Sequence, residues 1–134
     1  MNRHRIVHPD GWPRASGYSN GISSRGRTVS VAGQVGWNPR NGRFETDDFV
    51  KQARQALENV VAVLRAGSAA PEHLVRVRWY VVDREAYVAG RKALGAAWHE
   101  VMGEFYPAMT LVVVAGLLEP QALVEIEATA MVPE

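Results

Sequence analysis

The chain has 134 residues, 47% of them apolar, and carries 15 basic against 14 acidic side chains for a net charge of +1. That length suits one domain able to bury a core, and the balanced charge excludes a broad electrostatic footprint for nucleic acid. The absence of cysteine excludes a disulfide framework, a thiol nucleophile and a thiolate metal site.

The start, Met1-Asn2-Arg3-His4-Arg5, is charged but lacks the apolar stretch of a signal peptide. The longest apolar run, Met109 to Gly116, falls far short of the ~20 residues that span a bilayer. A cytoplasmic protein with no membrane partner is expected. Arg5-Ile6-Val7 reads as a short strand ended by Pro9-Asp10-Gly11, and Trp12 to Gly21 as a turn-rich segment. Gly21 to Ser24 and Thr28 to Ala32 flank Arg25-Gly26, the pattern of a hairpin. Arg25, Arg27 and Arg40 read as solvated loop cations. Asn38-Pro39-Arg40-Asn41-Gly42 is a second turn.

Thr46-Asp47-Asp48 supplies capping side chains and negative charge for a helix N-terminus. Phe49, Ala53, Ala56, Leu57, Val60, Val63 and Leu64 then recur at helical spacing up to Gly67. Leu74 to Val82 predicts a strand with Val75, Val77, Trp79 and Val81 on one face and Arg76, Arg78 and Tyr80 on the other. Asp83 caps a second helix over about 84–102, with Tyr87, Leu94, Ala97, Trp98 and Val101 as its buried stripe. Gly90 and Gly95 weaken it by roughly 1 kcal/mol each against alanine. Thr110 to Val114 is a continuous apolar run, as in a strand covered on both faces. Leu123 to Met131 alternates, with Glu125, Glu127 and Thr129 opposite Val124, Ile126, Ala128 and Ala130.

The predicted class is therefore α+β, in the order β-β-β-α-β-α-β-β, with two helices on one face of a mixed six-stranded sheet. The strands look apolar on more than one face, so the face without helices needs a partner, and self-association is the simplest.

Four separated stretches carry a resemblance. Val31-Ala32-Gly33-Gln34-Val35, the helix Gln52 to Val60, Tyr106-Pro107-Ala108 and Val124 to Ala128 resemble the RidA (YjgF) family, in order and spacing, over about Ser16 to Met131. The resemblance implies a chorismate-mutase-like fold assembled as a homotrimer, with helices outside and a small-molecule pocket at each subunit interface. It also implies cofactor-free hydrolysis of reactive enamines and imines to a keto acid and ammonia. Other members are described as binding proteins or carry names such as translation inhibitor or endoribonuclease.

Residue by residue, Tyr18 matches the family's pocket tyrosine, Gly33 the glycine whose backbone helps hold the ligand, and Glu125 the acid near the reactive nitrogen and water. The family's substrate-carboxylate arginine is replaced by Met109, its serine before Gly-Gln by Ala32, and its second-helix asparagine falls near Arg91. A thioether cannot make the paired charge-assisted hydrogen bonds of a guanidinium, a loss of about 2–5 kcal/mol in a dry pocket. Arg91 is a candidate replacement cation. Otherwise Met109, Leu111, Trp37 and Ala32 make a roomier, more apolar cleft for a larger or uncharged ligand.

Enamine hydrolysis needs one group that moves protons and a water that attacks the iminium carbon. Glu125 is the candidate, with backbone groups near Gly33 and Leu111 polarising the ligand. Alternation alone reads Glu125 and Glu127 as a solvated strand edge. Tyr18 either packs or contacts ligand, and Trp37 either lines the cleft or covers the sheet end. Trp79 and Trp98 read as core, His73 and His99 as surface. His4 and His8 are four apart on a strand-like segment with no third ligand, so no metal is expected. Gly33 to Gly36 has no nucleotide-loop spacing. Two functions remain close in weight: a cofactor-free hydrolase, and a non-catalytic trimer binding a partly apolar metabolite. RNA cleavage ranks last.

Overall fold

Residues 4–134 are described by the computed structural model. Met1, Asn2 and Arg3 of the charged start lie outside the described residues. Six strands and two helices follow in the expected order: β1 (Arg5–Val7), β2 (Gly21–Ser23), β3 (Arg27–Val35), α1 (Phe49–Ala66), β4 (Leu74–Val81), α2 (Arg84–Met102), β5 (Ala108–Val113) and β6 (Val124–Val132). No helix among the described residues is long and apolar enough to cross a membrane.

The helices begin where the caps predict. The Asp48 carboxylate accepts from the Lys51 amide at 3.0 Å, and Asp83 from the Glu85 and Ala86 amides at 2.9 and 3.2 Å. Ala53, Ala56, Leu57, Val60 and Leu64 of α1 are fully buried, and each large apolar side chain contributes about 1.5–3 kcal/mol of burial. The stripe is rotated slightly from expectation: Val61 is buried while Val63 is exposed. On α2, Leu94, Ala97, Trp98 and Met102 are buried, with Tyr87 and Val101 packed partly against the core. Arg54 ties the helices by pairing with Glu100, and with Glu58 at 3.3 Å. These groups are exposed, so the pairs add little.

The α+β class and helix placement agree with the sequence, but the six strands do not form one hydrogen-bonded sheet. β1 and β2 make an antiparallel ribbon, while the other four form a mixed sheet in the order β3-β6-β4-β5. The hairpin expected about Arg25-Gly26 is therefore absent. Gly26, at φ +144°, lies so close to the end of β6 that a Cβ there would come within 2.8 Å of the Val132 carbonyl carbon. The chain turns a corner at this glycine, and β3 starts its pairing with β6 at Arg27 and Val132.

A register shift between Leu74 and Arg76 turns Leu74 rather than Val75 into the core. β5 is an edge strand and, contrary to expectation, is not covered on both faces in the single chain: Val112 and Val113 are 42% and 52% exposed. The helix-free face is also less apolar than expected. It carries Arg76, Arg78 and Tyr80 of β4 beside Thr129, Glu127 and Glu125 of β6.

Where β3 ends, it runs against α1. A Cβ on Gly36 would stand 2.7 Å from the Gln52 Cα, backbone that cannot yield. Gly36→Ala is expected to lower stability by about 2–4 kcal/mol, on the scale of overpacking a close contact. Urea unfolding would read this as an earlier midpoint with an unchanged slope.

Candidate functional site

The Tyr106-Pro107-Ala108 stretch anchors one side of the site. The Ser19 amide donates to the Pro107 carbonyl at 3.0 Å, and the Ser19 hydroxyl to the Tyr106 carbonyl at 2.5 Å. These bonds dock the turn-rich segment on the start of β5 and set Tyr18 at the mouth of a cleft. The cleft, about 400 Å3, lies between α2 and the helix-facing side of β4 and β5. The register puts Leu111 beside Trp79 and Met109 beside Val77 on that face. Tyr18, Arg91, Met109 and Leu111 all line the cleft.

Its aromatic lining exceeds what the sequence indicated. Trp79 and Trp98 belong to the core, being 6% and 5% exposed, yet they also border the cleft, with ring centroids 6.5 Å apart at 35°. The Trp98 indole nitrogen donates to the Phe105 carbonyl at 3.1 Å, which fixes the ring. Tyr87, Leu94 and Gly95 complete the α2 side. The positions 87, 91, 94, 95 and 98 share one face by helical spacing, a signal present in the sequence once Arg91 is taken as a site residue.

Glu125 and Gly33 are brought together elsewhere. The β3–β6 register breaks between Val31 and Gln34, and the Ala32-Gly33 bulge approaches the Glu125 side chain. A Cβ on Gly33 would come within 2.8 Å of the Glu125 carboxyl carbon, so glycine is what leaves room for that carboxylate. Glu125 is half-buried and pairs in register with Tyr80. The Tyr80 hydroxyl donates to Glu127, which also lies 3.7 Å from the Arg78 guanidinium. This hydrogen bond, then desolvation and the negative charge of Glu127 and Glu125, hold the Tyr80 phenol above its ordinary range, with Arg78 opposing.

The predicted residues thus divide between two faces of one sheet. Val124 and Ile126 point into the helix-covered core, so Glu125 between them points away from it and from the aromatic cleft. Ala32 is exposed at the bulge. Trp37 does not line the cleft: its ring packs on Phe44, centroids 6.2 Å apart, and its carbonyl accepts from buried Asn59 at 3.0 Å. His4 contacts the Ser24 hydroxyl at 2.6 Å, and His8 contacts the Trp12 carbonyl at 3.2 Å. Among the described residues no group of three His, Asp or Glu side chains is placed to hold a metal ion.

The chain is an α+β protein with an aromatic cleft on one sheet face and a glycine-backed carboxylate on the other. The sequence model of the family described as Endoribonuclease L-PSP matches residues 12–132, and the chain belongs to this family, also called RidA or YjgF. A solved Rid-family protein of unknown function from Yersinia pestis, YyfB, is 35% identical with a TM-score of 0.86, covering 98% of this chain and all of that one. A RutC family protein of Pyrococcus horikoshii is 30% identical over 93% of this chain and 95% of its own length. The 2-iminobutanoate/2-iminopropanoate deaminase of Escherichia coli K12 is 32% identical over 95% and 97%.

Proposed function

We propose that the chain is a cofactor-independent hydrolase that deaminates a reactive imine or enamine, working as a homotrimer with its sites between subunits. The observation that carries this reading is the Glu125 carboxylate held against the Gly33 bulge, on the sheet face opposite the cleft that holds Tyr18, Arg91, Met109 and Leu111. One chain cannot join the two halves, because alternation along β6 turns Glu125 away from the cleft. A second copy can, by setting its Glu125 face against the first copy's cleft.

In the enamine form, Glu125 delivers a proton to carbon, giving an iminium. Water adds to the iminium carbon as the carboxylate takes up a proton. That proton passes to nitrogen, the carbon–nitrogen bond breaks as the carbinolamine hydroxyl returns its proton to the Glu125 carboxylate, and a carbonyl compound and ammonia leave. One water is consumed and nothing is oxidised. The name of the Escherichia coli deaminase relative supports this reaction class. Met109 favours a second reading, a non-catalytic trimer that binds a partly apolar metabolite, because it removes the family's carboxylate clamp.

The two part in one experiment. Imines are generated in solution from L-amino acids by an amino-acid oxidase, and keto acid formation is followed with and without the protein. Acceleration of any imine at catalytic protein concentration supports the hydrolase. Binding of the keto acids with no acceleration across a panel of side chains supports the binding trimer and sinks the hydrolase.

A further inference from the structure

Arg91 and Gly95 stand one helical turn apart on α2, and both line the aromatic cleft. We infer that this pair sets specificity: the cleft admits an aryl-bearing 2-imino acid, its ring filling the space left by Gly95 and its carboxylate meeting Arg91. The inference rests on the deaminase reading for the reaction and concerns which molecule the cleft accepts.

Three observations support it. First, the volume of about 400 Å3 lies within the ~300–1,000 Å3 typical of ligand pockets, and the walls are rings and apolar chains: Tyr18, Trp79, Tyr87, Trp98, Leu94 and Met109. A thioether packs well on an aromatic ring and contributes no charge. Second, among the described residues of one chain Arg91 is the only charged residue lining the cleft, and no acid of that chain lines it. It is exposed and makes no ion pair or hydrogen bond among the described residues, so its donors are available to an anion. Third, a Cβ on Gly95 would meet nothing within 4 Å. The fold leaves room for a larger residue there, and glycine weakens the helix. What the missing side chain leaves is cleft. A short aliphatic acid would leave most of these walls unoccupied, whereas an aryl group covers them.

The test is equilibrium binding to the full-length protein, read by calorimetry, of phenylpyruvate, pyruvate and neutral phenylacetone. The extra apolar area of a phenyl ring predicts phenylpyruvate about 30–100-fold tighter than pyruvate. Arg91→Gln should weaken phenylpyruvate about 10-fold or more and leave phenylacetone unchanged. Gly95→Leu should weaken both aryl ligands about 10-fold or more while circular dichroism and thermal midpoint stay native. Gly95→Ala, a smaller obstruction, should fall between. Equal affinity for pyruvate and phenylpyruvate, or native aryl binding in folded Gly95→Leu, overturns the inference.

Turnover separates this inference from the reaction it rests on. If phenylpyruvate binds as expected but neither the phenylalanine-derived nor the alanine-derived imine is accelerated, the deaminase reading fails and the selectivity of the cleft stands. If the alanine-derived imine is hydrolysed as efficiently as the phenylalanine-derived one, the selectivity fails and the reaction stands.

Discussion

Glu125→Gln should leave folding and cleft binding intact while lowering imine turnover about 10²–10⁴-fold, the usual contribution of a positioned acid–base group. The amide matches the carboxylate in size, so it fits the space that Gly33 leaves on the bulge. It keeps an oxygen that accepts hydrogen bonds but cannot cycle a proton between nitrogen, carbon and water. The side chain is half-buried on the helix-free face, outside the apolar core, so thermal stability should move by less than about 0.5 kcal/mol. The measurement pairs initial rates on an in-situ imine with calorimetry of the keto acid product. Turnover within a few-fold of the parent protein would remove Glu125 from the chemistry.

Gln52→Leu should cost about 3 kcal/mol or more, although it adds an apolar residue to an apolar stripe. Gln52 is fully buried, and its amide nitrogen donates to the Thr46 and Gln121 carbonyls, each at 3.0 Å. Its amide oxygen accepts from the Leu123 amide at 2.8 Å. Leucine would strand three backbone groups, each costing about 1–3 kcal/mol when unsatisfied, less whatever water recovers. The thermal midpoint should fall by roughly 10 °C at fixed protein concentration. Because Leu123 leads directly into β6, imine turnover should drop as well, through loosened placement of Glu125. A loss under 1 kcal/mol would mean that those groups find other partners.

Local signals were readable wherever they depended on neighbours in the chain. The Asp48 and Asp83 caps, the apolar stripe from Phe49 to Leu64 and the alternation of β6 are short-range patterns, and the structure reproduces them. The family resemblance was equally legible, since its motifs are contiguous residues. Val63, placed on the stripe by its spacing, is exposed while Val61 is buried, because spacing locates a stripe only to within about one residue and packing against the sheet chooses its centre. Gln52 sat in an apolar stripe, which marks a buried polar residue. Its partners lie up to 71 positions away, so only the folded chain names them.

The candidate site shows the same division. The family resemblance singled out Tyr18, Gly33, Glu125 and Arg91 for one pocket, grouped Met109, Leu111, Trp37 and Ala32 as its apolar lining, and established that a methionine stands where the family places arginine. Tertiary structure decided how they sort. Pleating turns Glu125 and Leu111 to opposite faces of one sheet, and the Gly26 corner sends β3 to β6 instead of into a hairpin with β2. Trp79 and Trp98 became cleft walls as well as core because α2 crosses the sheet beside an edge strand, which leaves their rims uncovered. Residue types and spacings are properties of the chain in one dimension. Which of them share a cavity depends on strand order and crossover, set by long-range burial that no local pattern encodes.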